Sequence, residues 1–137
     1  KNNWNPLELG YVDAYRDWSD AEDFVDGIWK MMNQENPKDY VLSSGNARTI
    51  REFVEIAFRF AGIDGYWVSS GIKEQYKTTA VSQELVKINP KFYRPAEVEC
   101  LLGNSDAAKR DLGWKPKTSF KCLVEKMVRY DQKQLEC

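Results

Sequence analysis

The sequence predicts an α/β fold. Two apolar stripes recur at helical spacing, and short β-type runs lie between them. Closely spaced Gly and Pro residues leave room only for short elements joined by short loops. The order reads strand, helix, strand, helix, short strands, helix, helix, with about four helices.

The first helix is predicted over residues 19–33. Ser19 and Glu22 stand in a capping-box pattern, and Ala21, Phe24, Val25, Ile28, Trp29 and Met32 form one stripe before Pro37 blocks continuation. Residues 40–42 read as a short strand ending in the turn residues Ser43, Ser44, Gly45 and Asn46. A second capping box, Thr49 with Glu52, opens a helix whose face is Ile50, Phe53, Val54, Ala57, Phe60 and Ala61, with Gly62 at its C-terminal end. Residues 65–69 and 85–88 read as strands, and the polar stretch 71–82 between them as a loop. Pro90 and Pro95 bracket an extended connector, residues 91–94. Residues 98–102 form a strand or turn stopped by Gly103. A helix follows over residues 105–112, ending at Gly113. The last helix starts near Thr118 or Ser119 and is expected to bury Phe120, Leu123, Val124, Met127 and Val128.

At 137 residues with 42% apolar and 13% aromatic side chains, the chain has the makings of one ordinary core. Twenty basic and 21 acidic residues give a formal charge of −1, which removes the electrostatic warrant for a nucleic-acid or polybasic membrane binder. With no histidine, the chain itself cannot supply a Ser-His-Asp triad, a Cys-His dyad or a His-containing zinc site. The three cysteines, Cys100, Cys122 and Cys137, match no metal knuckle or disulfide framework and read as free thiols of a reducing, cytoplasmic compartment. No secretory leader is read at the start, and no apolar run has the length of a membrane helix.

Phosphate-cradling glycine loops of the G-x-G-x-x-G and G-x-x-x-x-G-K types are absent from the sequence, as is a nucleophile elbow. Asp17, Asp20 and Asp23 are spaced so that a metal site is conceivable. However, Asp20 and Asp23 fall in the first turn of a capped helix, where carboxylates complement the dipole, and no calcium-loop glycine or distal glutamate accompanies them. The basic run Trp114-Lys115-Pro116-Lys117 reads as a solvated turn with Trp114 packed inward, balanced by Asp106 and Asp111. Arg16 in Tyr15-Arg16-Asp17-Trp18 and Arg94 in Phe92-Tyr93-Arg94-Pro95 stand on stiff, aromatic-flanked extended segments. Such a segment can present a guanidinium fork to a phosphate, with Glu97 nearby to accept a sugar hydroxyl. On composition alone the plainer reading of all three is surface ion pairing.

Four blocks then carry a resemblance. Leu9-Gly10 with Asp13-Ala14-Tyr15-Arg16-Asp17-Trp18 and Ala21-Glu22-Asp23-Phe24-Val25 is similar to the L-G-N-x-D-A-x-R-D-W-G-H-A-x-D-Y-V block of GDP-mannose 4,6-dehydratases. The stretch from Ser44-Gly45 into Ile50-Arg51-Glu52-Phe53-Val54-Glu55 resembles their T-G-x-x-x-S-V-R-E-F-V-E block. Asn89-Pro90-Lys91-Phe92-Tyr93-Arg94-Pro95-Ala96-Glu97-Val98 resembles D-P-R-Y-F-R-P-T-E-V, and Leu101-Leu102-Gly103 through Trp114-Lys115-Pro116-Lys117-Thr118-Ser119-Phe120 resembles the family's tail. Where the family has Asn after L-G this chain has Tyr11, and where it has Gly-His after R-D-W this chain has Ser19-Asp20, an acid that would disfavour a diphosphate nearby unless it points into solvent.

The resemblance implies the C-terminal, nucleotide-sugar-binding portion of an extended short-chain dehydrogenase, residues 1–137 forming a single region. The NADP-binding Rossmann part and the Tyr-x-x-x-Lys pair would lie outside it. It implies that Arg16 and Arg94 face the substrate diphosphate and that Glu97 takes the ribose hydroxyls. For the full enzyme it implies oxidation at C4 with NADP, loss of water across C5 and C6 and return of hydride at C6, giving GDP-4-dehydro-6-deoxy-mannose on the route to GDP-fucose, in a homo-oligomer. This chain would bind GDP-mannose or a related GDP-sugar at best, with no catalytic, cofactor or metal residue of its own. The alternatives are a stand-alone nucleotide-sugar-binding module and part of another nucleotide-sugar dehydratase or epimerase. Helices of such a portion are expected to pack against the rest of the enzyme, the stripes of residues 19–33 and 50–61 being the candidates.

Overall fold

The computed structural model describes residues 5–94, 96 and 98–135. Its elements are β1 (Leu7–Leu9), β2 (Tyr15–Asp17), α1 (Ala21–Met32), β3 (Ala47–Thr49), α2 (Ile50–Phe60), β4 (Gly65–Val68), β5 (Gln75–Thr78), β6 (Glu84–Ile88), β7 (Cys100–Leu101), α3 (Asp106–Leu112) and α4 (Phe120–Leu135), with 3-10 turns at Gly71–Lys73 and Pro90–Phe92. The α/β class and the four helices agree with the sequence reading. The strands form two small sheets, β1-β6-β5-β4 and β3-β2-β7. In the first, β1 is parallel to β6 and the β6-β5-β4 part is antiparallel. In the second, β2 lies between antiparallel β3 and parallel β7.

Three sequence expectations are corrected. Residues 40–42 make no strand. They join neither sheet, β2 being already flanked by β3 and β7, and Leu42 packs against α1 instead. The expected loop 71–82 contains β5, a central strand whose polar sequence Gln-Tyr-Lys-Thr concealed it; only Tyr76 is deeply buried. The cap of α1 lies one residue later than the box pattern suggested. Asp20, not Ser19, is the N-cap and accepts from Glu22 N at 2.9 Å. The second capping box, Thr49 with Glu52, forms as expected.

The core has two parts. Val54, Tyr76, Leu85 and Val86 cluster between α2 and the four-stranded sheet, with the Phe58 and Trp67 rings 5.3 and 5.1 Å from Tyr76. The second part centres on Trp114, which is fully buried. Its Nε1 donates to Asp23 O at 2.8 Å, laying the indole across α1. A Cβ at Gly27 would stand 2.6 Å from Leu42 Cδ1 and 2.9 Å from Trp114 Nε1, so glycine in mid-helix is a packing requirement here. Trp18, Phe53 and Phe120 join α2 to α4 through ring contacts of 4.9 to 6.4 Å. Leu123 and Val124 are buried as expected, but Met127 is half-exposed because α4 runs on past the residues it packs against.

The stripe of α1 divides. Phe24 turns toward Trp114, whereas Val25, Ile28, Trp29 and Met32 face outward. Of the α2 stripe Val54 is buried, and Ile50, Phe53, Ala57, Phe60 and Ala61 are half-buried.

Gly27→Ala tests the close approach. Its helix-propensity gain of roughly 1 kcal/mol is outweighed by an overpacking cost of about 1–3 kcal/mol, so urea unfolding should show a net loss. Asp20 supplies a pH test. The bond from Glu22 N, aided by Lys126 at 3.1 Å, holds this buried carboxyl below the usual carboxylate range. A group depressed in the folded state stabilises fully above its unfolded pKa and loses that contribution as pH falls through the folded one. Asp20→Asn keeps a capping oxygen but removes the charge. It should therefore lower stability at neutral pH and leave a smaller stability loss between neutral pH and the acid range, as read from thermal unfolding against pH.

Candidate anion-binding site

The site is built around β2. Arg16 lies in its middle, paired across the ladder with Arg48 on β3 and Leu101 on β7. Arg16 Nη1 donates to Val98 O at 2.8 Å, and Tyr15 N donates to Glu99 O at 2.7 Å. Thus the segment that leaves Arg94 and runs through residues 98–101 is fastened along the strand that carries Arg16. Arg94 itself is exposed, just past the 3-10 turn at Pro90–Phe92. Glu97 lies outside the described residues, as does Cys137. Cys100 and Cys122 are free and exposed.

The Arg94 segment is seated on the turn after β1. Asn89 N donates to Leu9 O at 2.8 Å and Asn89 Nδ2 donates to Glu8 at 2.7 Å. A Cβ at Gly10 would lie 2.5 Å from Phe92 O, so only glycine lets the two backbones meet. The Tyr93 ring packs 6.0 Å from Tyr11, and burial, reinforced by nearby Glu74, raises the Tyr93 phenol above its ordinary value.

Beneath this turn lies Arg51, which the sequence reading touched only as part of a matched block. Its backbone N donates to Val12 O at 2.9 Å. Its guanidinium forms bidentate pairs with Asp13 (2.7 and 3.1 Å) and Glu74 (2.6 and 3.0 Å) and stacks 4.6 Å from the Trp67 ring. Glu74 first and Asp13 second hold the guanidinium further above its ordinary range, so it stays cationic. A signal existed in the sequence: an arginine in the first turn of a helix opposes the dipole unless acids elsewhere meet it.

The three aspartates considered for a metal have three separate uses. Asp17 accepts from Ser44 N (2.8 Å), Gly45 N (2.9 Å) and Gly103 N (3.3 Å), clamping both loops that flank β2. Asp20 caps α1 and turns inward rather than to solvent. Asp23 accepts from Lys117 N and Thr118 N, fixing the turn after Trp114 as the solvated connection expected. Arg16 opens on a groove of about 350 Å³ that also contains Ser19, Ser43 and Gly103. The nearby aspartates are drawn into backbone N–H groups, and Phe24, Val41, Leu42, Leu101 and Leu102 form the apolar part of the groove wall.

This fold is shared with larger proteins. A Pseudomonas aeruginosa protein, RMD, solved with NADPH, superposes with a TM-score of 0.71 at 19% identity over 94% of this chain and 36% of its own. A UDP-glucose 4-epimerase from Thermotoga maritima, solved with UDP-glucose, gives 0.72 at 18% identity over 95% of this chain and 36% of its own. The chain therefore has the fold of the matched third of these two proteins. Residues 1–127 match the family described as GDP-mannose 4,6 dehydratase, and the chain belongs to that family. The GDP-mannose 4,6 dehydratase of Dictyostelium discoideum is 43% identical over 91% of this chain and 35% of its own length. The chain thus spans about a third of the length of the curated relatives it matches.

Replacing Arg51 with Met tests the scaffold. It leaves Glu74 buried without its cation, which should cost about 3 kcal/mol in denaturant unfolding. A loss as small as that of an exposed ion pair would remove Arg51 from this role.

Proposed function

We propose that this chain is the nucleotide-sugar-binding portion of a GDP-mannose 4,6-dehydratase, and that Arg16 and Arg94 grip the diphosphate of GDP-mannose while Glu97 accepts from the ribose hydroxyls. The observation that carries the reading is the pairing of β2 with β7. It fastens the segment following Arg94 to the strand bearing Arg16 through Val98 O and Glu99 O. Two guanidinium forks suit the two phosphates of a diphosphate, and charge-assisted bonds favour the ionised form.

The described residues do not fit NADP. Each sheet has only one parallel pair, so no doubly wound sheet is built from them. The sequence also has no glycine-rich phosphate turn and no Tyr-x-x-x-Lys pair. In this reading the cofactor and the acid/base groups belong to the part of the family's fold that this chain does not span. The residues here hold and orient the nucleotide so that the hexose reaches outward. The complete enzyme works as a cytoplasmic homo-oligomer, and its product lies on the route to GDP-fucose. Among the described residues no helix is long and apolar enough to cross a membrane.

The test is calorimetric titration with GDP-mannose, with UDP-glucose and dTDP-glucose as competitors. Arg16→Ala and Arg94→Ala should each weaken GDP-mannose binding about tenfold or more, because a charge-assisted bond is worth roughly 1.5–3 kcal/mol. Unchanged affinity in both variants removes the diphosphate assignment. Preference for UDP-glucose or dTDP-glucose would move the chain to another nucleotide-sugar enzyme, and turnover of GDP-mannose with NADP by the 137-residue chain would end the claim that it only binds.

A further inference from the structure

Strand β3 sets a second arginine directly beside Arg16. In the antiparallel β2-β3 ladder Arg48 is the residue opposite Arg16, so the two side chains leave the sheet on the same face. Like charges placed directly opposite each other repel and weaken a ladder. The carboxylate nearest Arg48 is a loose partner: Glu52 stands 3.4 Å away, and both side chains are more than a third exposed. A pairing of that kind contributes little. Glu52 is moreover committed to the cap of α2, where it accepts from Thr49 N at 2.9 Å. Asp17, next to Arg16 in sequence, is taken up by backbone N–H groups of both flanking loops. Arg48 also opens on a groove of about 350 Å³ shared with Ser44, Asn46 and Lys117, and no carboxylate among the described residues lines it. An anion lying over both arginines turns their repulsion into attraction.

The strand order gives the site a direction. Strand β2 is central, with β7 on one side and β3 on the other. The segment from Arg94 to Val98 arrives on the β7 side, where Arg16 Nη1 meets Val98 O. Arg48 stands on the opposite side of Arg16, one strand spacing of about 4.8 Å away. A nucleoside diphosphate with its ribose at Glu97 and its phosphates running across the sheet therefore passes Arg16 and ends toward Arg48. We propose that Arg48 grips the distal phosphate, the one that carries the sugar, and so makes the site select diphosphates over monophosphates. This deepens the diphosphate reading of Arg16 and Arg94 and rests on it. Arg48 falls at an unspecified position of the T-G-x-x-x-S-V-R-E-F-V-E block, so the resemblance assigns it no role. The signal for it is the cross-strand register, which places two guanidinium forks over neighbouring phosphates.

Calorimetric titration of this protein with GDP-mannose, GDP and GMP tests the assignment. GMP keeps the base, the ribose and the first phosphate but lacks the distal one. Arg48→Ala should weaken GDP-mannose and GDP about tenfold, the loss of one charge-assisted bond, and leave GMP unchanged. In the ligand-free protein the same substitution should leave the Tm unchanged, because it removes only an exposed ion pair and a like-charge neighbour of Arg16. A marked fall in Tm makes Arg48 a structural residue and overturns the proposal. An equal loss for GMP also overturns it, since the contact would then not be to the distal phosphate. If GDP binding survives Arg48→Ala but weakens in Arg16→Ala, the role of Arg48 falls and the diphosphate reading stands. If GDP does not bind, or binds equally well in Arg16→Ala and Arg94→Ala, the diphosphate reading falls and takes this inference with it.

Discussion

Arg51 holds the two halves of this molecule together. Asp13 leads into β2 of the three-stranded sheet, while Glu74 and Trp67 belong to the four-stranded one, and one guanidinium at the start of α2 meets all three. Two bidentate carboxylates around a single arginine fix direction as well as distance. The turn before β2 is thereby fixed relative to β5, and the residues seated on that turn, from Asn89 to Tyr93, inherit the position. The placement of Arg94 depends on an ion pair beneath it.

Around β2 the same principle is repeated with the charges reversed. Asp17, Asp20 and Asp23 each take two or more donors from backbone or lysine. A carboxylate so engaged fixes a loop or a helix end without projecting negative charge at a neighbouring anion. The Ser19-Asp20 departure from the family pattern fits this arrangement. Asp20 is the helix cap, facing Lys126 of α4, and its charge is answered within the fold.

Helices were legible in the sequence because each repeats its period several times. The face of α2, the Gly113 terminus and the inward Trp114 all came from spacing and punctuation. Strands of two to five residues repeat too little to declare themselves, and β5 carries just one deeply buried side chain. Residues 40–42 had the composition of a strand but pair with neither sheet, and Leu42 packs on Gly27 of α1 instead, a long-range outcome invisible locally. For the site, aromatic-flanked arginines were visible as residues. That β2 and β7 would lie side by side, tying Val98 to Arg16, was a matter of long-range pairing. Arg51 went unread because its partners lie 38 positions before it and 23 after it.

The parallel pairings set the order in which the molecule can assemble. Leu7 finds its ladder partner in Val86, and Tyr15 finds one of its two in Cys100. Closing loops of that length costs chain entropy before any contact repays it, which slows folding. On the ribosome, β1 and β2 leave the exit tunnel long before the strands that complete them exist. The helices and the β4-β5-β6 meander can form first from local contacts. The strand bearing Arg16 acquires its second neighbour only when most of the chain has been made, so the β3-β2-β7 sheet is among the last parts of the protein to take shape.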